Sequence, residues 1–114
     1  MRTNFQMEYQ NITMIAGNTV SFNVECYDDR GNTIEVVSAD MVAKKDASSD
    51  VELFHKSLTD GIAQSSSGLL TVRIAPEDTR DAVGNYFYAF QVGIDNDIYT
   101  LMTGTLSIEQ NVCE

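Results

Sequence analysis

The one histidine of this chain, His55, lies between Phe54 and Lys56 in an extended stretch. Nucleophilic catalysis needs a base beside a serine or cysteine, with a third group to orient it. No serine sits in a Gly-x-Ser-x-Gly setting, and no Cys/His cluster has zinc spacing. His55 is therefore read as a structural residue on a strand. Carboxylates are the other candidate chemistry. Asp28-Asp29 with Asn32, and Asp95-Asn96-Asp97, gather oxygens of the kind calcium takes. Asp and Asn also belong in hairpin turns because they tolerate positive φ. Both clusters are read as turns, so no metal and no cofactor is expected. The acidic residues fall mostly in turns or at outward positions, away from the apolar pocket that a glycosidase acid needs. The remaining candidate is the aromatic run Tyr86-Phe87-Tyr88 with Phe90. Alternation places Tyr86, Tyr88 and Phe90 in the core and turns Phe87 outward, which makes Phe87 a candidate partner-facing residue.

The elements that position these residues follow from period-two alternation. Val20, Phe22, Val24 and Cys26 alternate with polar residues, as do Leu70, Val72 and Ile74. Asp28-Asp29-Arg30-Gly31-Asn32 reads as a hairpin turn, followed by a short strand over Thr33–Val37. Ser38–Lys45 reads as a strand with Met41 and Ala43 in the core. Val51–Ser57 is another, and Asp60-Gly61 is a turn. Pro76–Ala82 is the one place for a helical turn, with proline at its start and Glu77-Asp78 at the positive end of the dipole. A long strand carries Tyr86, Tyr88, Phe90, Val92 and Ile94 on one face. After the Asp95-Asn96-Asp97 turn, the last strand places Thr100, Met102, Gly104, Leu106 and Ile108 on one face. About seven strands with turns between them predict an all-β, immunoglobulin-like antiparallel β-sandwich. An antiparallel barrel has the same periodicity.

The bulk numbers fit one domain. The chain has 114 residues, 43% of them hydrophobic. Residues 1–10 read as an N-terminal arm or edge strand and residues 11–114 as the domain. Within the arm, Phe5, Met7 and Tyr9 alternate and can dock on a neighbour as an added strand. The net charge is −10, from 17 Asp+Glu against 7 Lys+Arg, which repels a phosphate backbone and argues against nucleic acid. No apolar run is long enough for a membrane helix, and no signal peptide is visible at the start. Two cysteines, Cys26 and Cys113, make no disulfide framework and are expected as free thiols.

One resemblance runs through nearly the whole chain, from about Ile12 onward. It rests on Ala16-Gly17-Asn18-Thr19 before a strand, Asp28-Asp29-Arg30-Gly31-Asn32, Val42-Ala43-Lys44-Lys45, and Gly68-Leu69-Leu70-Thr71-Val72-Arg73-Ile74. Pro76-Glu77-Asp78-Thr79, Gly84-Asn85-Tyr86-Phe87-Tyr88 and Gly104-Thr105-Leu106 continue it. In this order they resemble the immunoglobulin-like domain at the N-terminus of phage baseplate upper proteins and related small phage and prophage structural proteins. The resemblance implies a non-enzymatic component of the virion, in baseplate, tail or decoration, made in the bacterial cytoplasm. It implies no cofactor, and as partners other phage structural proteins or further copies of the chain. With no fibre-like extension in these 114 residues, a connector or decoration role is expected. The alternative is a small carbohydrate-binding or adhesion β-sandwich module using Phe87.

Overall fold

The computed structural model describes residues 8–27, 30–46 and 48–113. The fold is all-β with one short helix. In chain order the strands are β1 (Glu8–Tyr9), β2 (Ile12–Ile15), β3 (Val20–Glu25), β4 (Ser38–Lys44), β5 (Glu52–Leu58), β6 (Gly61–Ser66) and β7 (Leu69–Ile74). The helix α1 (Pro76–Thr79), β8 (Gly84–Ile94) and β9 (Asp97–Glu109) complete it. These strands form one sheet in the order β1-β9-β8-β4-β5-β6-β7-β3, with β2 following β1 along the same edge of β9. The limb from β1 and β2 to β5 and the limb from β6 to β3 are joined by two residue pairs, Ser57↔Gly61 and Leu58↔Ile62. The sheet curls around a single core. Met14 of β2, Met41 of β4, Ile62 of β6, Val72 of β7, Phe90 of β8 and Leu106 of β9 all contribute to it.

Alternation built the central strands as expected. In β8, Tyr88, Phe90, Val92 and Ile94 are buried while Phe87, Ala89 and Gln91 are exposed. Met41 and Ala43 are fully buried in β4. The hairpin between β8 and β9 turns through Asp95-Asn96, with Ile94 opposite Asp97 and Asp95 at φ 56°. The expected helical turn is present as α1, with Pro76 first. Cys26 is a buried free thiol and Cys113 an exposed one, and burial raises the pKa of Cys26.

Four expectations are corrected. The sheet is mixed rather than antiparallel: β1 and β2 run parallel to β9, and β5 parallel to β6. Among the described residues it has nine strands rather than about seven, because β1 and β2 add two at the N-terminal end and Gly61–Ser66 forms β6 after the Asp60-Gly61 turn. Thr33–Val37 is not a strand. Among the described residues it forms no ladder beyond the single bridge Tyr27↔Thr33. Finally, Thr100 does not share the core face of β9. A bulge between the pairs Phe90↔Met102 and Gln91↔Thr100 leaves Leu101 as an extra residue, so Leu101 is buried and Thr100 exposed.

The segment that replaces the missing strand is held by Gln64. Its Oε1 accepts from Val36 N and Gly68 N, each at 3.0 Å, and its Nε2 donates to Val36 O at 2.9 Å. One side-chain amide thus meets both backbone groups of Val36, as a neighbouring strand would. Gly68 sits at φ 79°, and a Cβ there would lie 2.5 Å from Cys26 O and 2.9 Å from Ile34 O. Only glycine fits this crossing. Gln64→Leu keeps the volume but strands three backbone groups. It should destabilise the protein by about 2–4 kcal/mol in denaturant unfolding. A loss no larger than that of an exposed substitution such as Ser65→Ala would show that water replaces the amide.

Candidate functional site

The face of β4, β8 and β9 that points away from the core forms a shallow groove of about 330 Å³. Asp40, Val42 and Lys44 supply one wall from β4. Phe87 and Gln91 come from β8, Thr103 from β9 and Glu52 from β5. The residues of β4, β8 and β9 reach this face because they occupy the outward phase of alternating strands, whereas Glu52 reaches it through the register shift in β5, where Ala43↔Phe54 is followed by Lys44↔Glu52. Phe87 is 51% exposed beside Lys44, its cross-strand partner. Its side chain is turned out by strand phase, opposite to that of buried Tyr88.

Register extends this face across the sheet. Tyr9 stands opposite Thr103, Thr103 opposite Ala89, Ala89 opposite Val42, and Val42 opposite His55. Tyr9, which is 80% exposed, therefore shares a face with Phe87, one row away. Of the residues singled out for interaction, the structure brings Tyr9 and Phe87 onto one surface. Phe5 and Met7 lie outside the described residues.

Beyond its pairing with β9, the N-terminal segment is set in place at Gln10 and Asn11. Tyr88 donates its hydroxyl to Gln10 O at 2.5 Å, and burial raises its pKa, which keeps the phenol protonated. Asn11 Oδ1 accepts from Thr105 N at 3.1 Å. A Cβ on Gly104 would lie 2.4 Å from Gln10 O. The segment crosses directly over that glycine, and the register against β9 is the same before and after the crossing.

His55 ends the row in an ionic cluster. Its Nε2 lies 2.9 Å from Asp40 Oδ1 and its Nδ1 3.6 Å from Glu52 Oε2. The hydrogen bond to Asp40 raises its pKa above the ordinary value near 6.5. Partial burial opposes that rise and the charge of Glu52 adds to it. A carboxylate beside each ring nitrogen favours the imidazolium and leaves no free lone pair for a general base. Sequence reasoning missed this cluster. Asp40 and His55 both carry outward phase on their strands, but only the pairing of β4 with β5 brings them together.

Asp95 and Asn96 adopt the conformation of a two-residue hairpin loop. Asp28 and Asp29 lie outside the described residues. Among the described residues, no group of three or more His, Cys, Asp or Glu side chains could hold a metal ion.

No protein-family model matches the chain, and no curated protein matches it. Among solved structures, it is similar to an endo-fucoidan hydrolase from glycoside hydrolase family 107. The TM-score is 0.48 at 11% sequence identity, covering 93% of this chain and 13% of that chain. This likeness carries no inference about activity.

The His55 cluster makes a pH-dependent contribution to stability. Because the folded-state pKa is the higher one, that contribution is complete below the unfolded value near 6.5. It is lost as pH rises through the folded value. An NMR titration of the imidazole should show a midpoint above that of a free histidine. Asp40→Asn should lower it more than Glu52→Gln does. Equal midpoints in all three proteins would show that the carboxylates do not hold the ring.

Proposed function

We propose that this chain is an immunoglobulin-like module of a phage or prophage particle. It serves in baseplate, tail or decoration and works through protein–protein contacts without catalysing a reaction. The observation that carries the fold half of this reading is strand order. If β3 to β9 are taken as immunoglobulin strands B, C, C′, D, E, F and G, one limb reads C′-C-F-G and the other D-E-B. That is the division of strands between the two layers of an immunoglobulin-like sandwich. Fold does not fix function, so the particle assignment rests on the resemblance in turns and strand starts. The exposed row that holds Tyr9, with Phe87 beside it, supplies a contact surface of the kind such a module needs.

The groove also favours a second reading, a carbohydrate-binding module. A half-exposed ring beside Asp40, Glu52 and Gln91 offers a stacking surface with hydrogen-bonding groups at its rim. Glycan-array binding that is lost on Phe87→Ala would favour this reading over the first.

The test of the first reading is particle composition. After prophage induction in the source strain, mass spectrometry of gradient-purified particles should find this chain at a fixed ratio to tail proteins. Phe87→Ala should reduce its incorporation while shifting unfolding free energy by less than about 0.5 kcal/mol, as exposed substitutions do. A chain found only in the soluble fraction, never with particles, would overturn the proposal.

A further inference from the structure

The strand edges of this sheet are not equally protected. The outer edge of β5 carries Glu52, His55 and Lys56, and Lys56 Nζ is bound to Asp78 Oδ2 of α1 at 2.5 Å. At the other end, β1 and β2 are short and broken at Gln10-Asn11. Edges of this kind resist pairing with other chains. By contrast, among the described residues β3 ends the sheet as six residues, Val-Ser-Phe-Asn-Val-Glu, paired with β7 along one side only. Its register with β7 shows no bulge, and it contains no proline or lysine. Val20, Phe22 and Val24 point inward yet stay only half-buried.

The hydrogen-bond phase of β3 is fixed. Cys26 N donates to Gly68 O at 2.8 Å, so Val24, Phe22 and Val20 also turn their backbone groups to β7. The N–H and C=O groups of Ser21, Asn23 and Glu25 therefore project from the free edge. We propose that this edge docks a second copy of the chain, antiparallel about a two-fold axis, with Phe22 opposite the partner's Phe22. In that register Ser21 faces the partner's Asn23 as a hydrogen-bonded pair, which uses the outward groups of both. Val20 faces the partner's Val24 on the inner side, and Thr19 faces the partner's Glu25 on the outer side. Apolar meets apolar within, and no like charges oppose each other. The contact is isologous and closes at two copies. It turns two limbs of the order β6-β7-β3 into one continuous sheet. The inference depends only on this edge and not on the particle reading. The net charge of −10 on each copy opposes it, so the association should strengthen as salt screens that repulsion.

Analytical ultracentrifugation over a concentration and salt series, together with amide hydrogen exchange, tests this. At high concentration the sedimenting mass should double. The amides of Ser21, Asn23 and Glu25 should then exchange slowly, and dilution should release them. Ser21→Pro removes an outward donor without breaking a bond to β7, and edge strands accept proline in this phase. That variant should sediment as a monomer, with the Phe22 and Val24 amides still protected. If those two amides lose protection the variant has unfolded, and the dilution series on the unaltered protein decides. A monomer at every concentration, a folded Ser21→Pro that stays dimeric, or a dimer with unprotected Ser21, Asn23 and Glu25 would each overturn the proposal.

Discussion

A chain that crosses from one limb of a sheet to the other must satisfy its backbone polar groups without a strand beside it. Residues 34–36 make that crossing between β3 and β4, and the Gln64 amide meets both groups of Val36. The same amide accepts from Gly68, whose carbonyl in turn accepts from Cys26. Cys26 O then accepts from Ile34 N at 3.0 Å. The crossing, the β6–β7 turn and the end of β3 are thus one hydrogen-bonded unit. A direct join between the limbs exists at only two residue pairs of β5 and β6. The position of β3 and β7 relative to the larger limb therefore depends on this unit as well as on the shared core.

The same device recurs wherever pairing lapses. Thr79 is fully buried, and its Oγ1 accepts from Gly17 N at 3.1 Å, which ties α1 to the turn after β2. Asp78 accepts from Ala75 N at 2.7 Å and binds Lys56, which links the same helix to β5. A four-residue helix has too few internal bonds to be stable alone, so these anchors hold it in place. Asn111 Nδ2 donates to Ala16 O at 2.9 Å and closes the far end of β2. Side-chain amides, hydroxyls and carboxylates thus complete what the strands leave open. No buried side-chain nitrogen or oxygen among the described residues lacks a partner.

These anchors also mark the limit of what the sequence reveals. Period-two alternation made β3, β7 and β8 legible, because each has one face on the core. Proline before two acids announced α1, and Asp-Asn announced the last hairpin. Alternation is a local signal, however, and carries no partner information. It could not show that β2 runs parallel to β9, or that β5 and β6 do the same. The bulge at Leu101 escaped for a related reason. A single inserted residue changes the phase of half a strand, and Tyr99 and Thr100 look equally suited to either face. Gln64 escaped because a glutamine in a serine-rich stretch reads as solvent-exposed. Asp40 and His55 are fifteen positions apart and meet only once β4 and β5 are in register.

The outer face shows how the core dictates a surface that it does not contain. Leu106 and Ile108 must point inward from β9, which forces Thr103 and Thr105 outward on either side of Gly104. Ile12 and Met14 follow Leu106 and Ile108 into the core, so the parallel register sends Tyr9 outward with Thr103. The break at Gln10-Asn11 could have shifted that phase by one residue. It does not, because Tyr88 holds Gln10 O, Thr103 O accepts from Gln10 N at 2.9 Å, and Asn11 holds Thr105 N. Tyr88 is itself buried and stands beside Phe87 in the chain, so the residue that turns Phe87 outward also fixes the segment that carries Tyr9. Any substitution that moved Tyr88 would disturb both exposed aromatics at once. The exposed aromatic face is thereby coupled to the core through a single phenol.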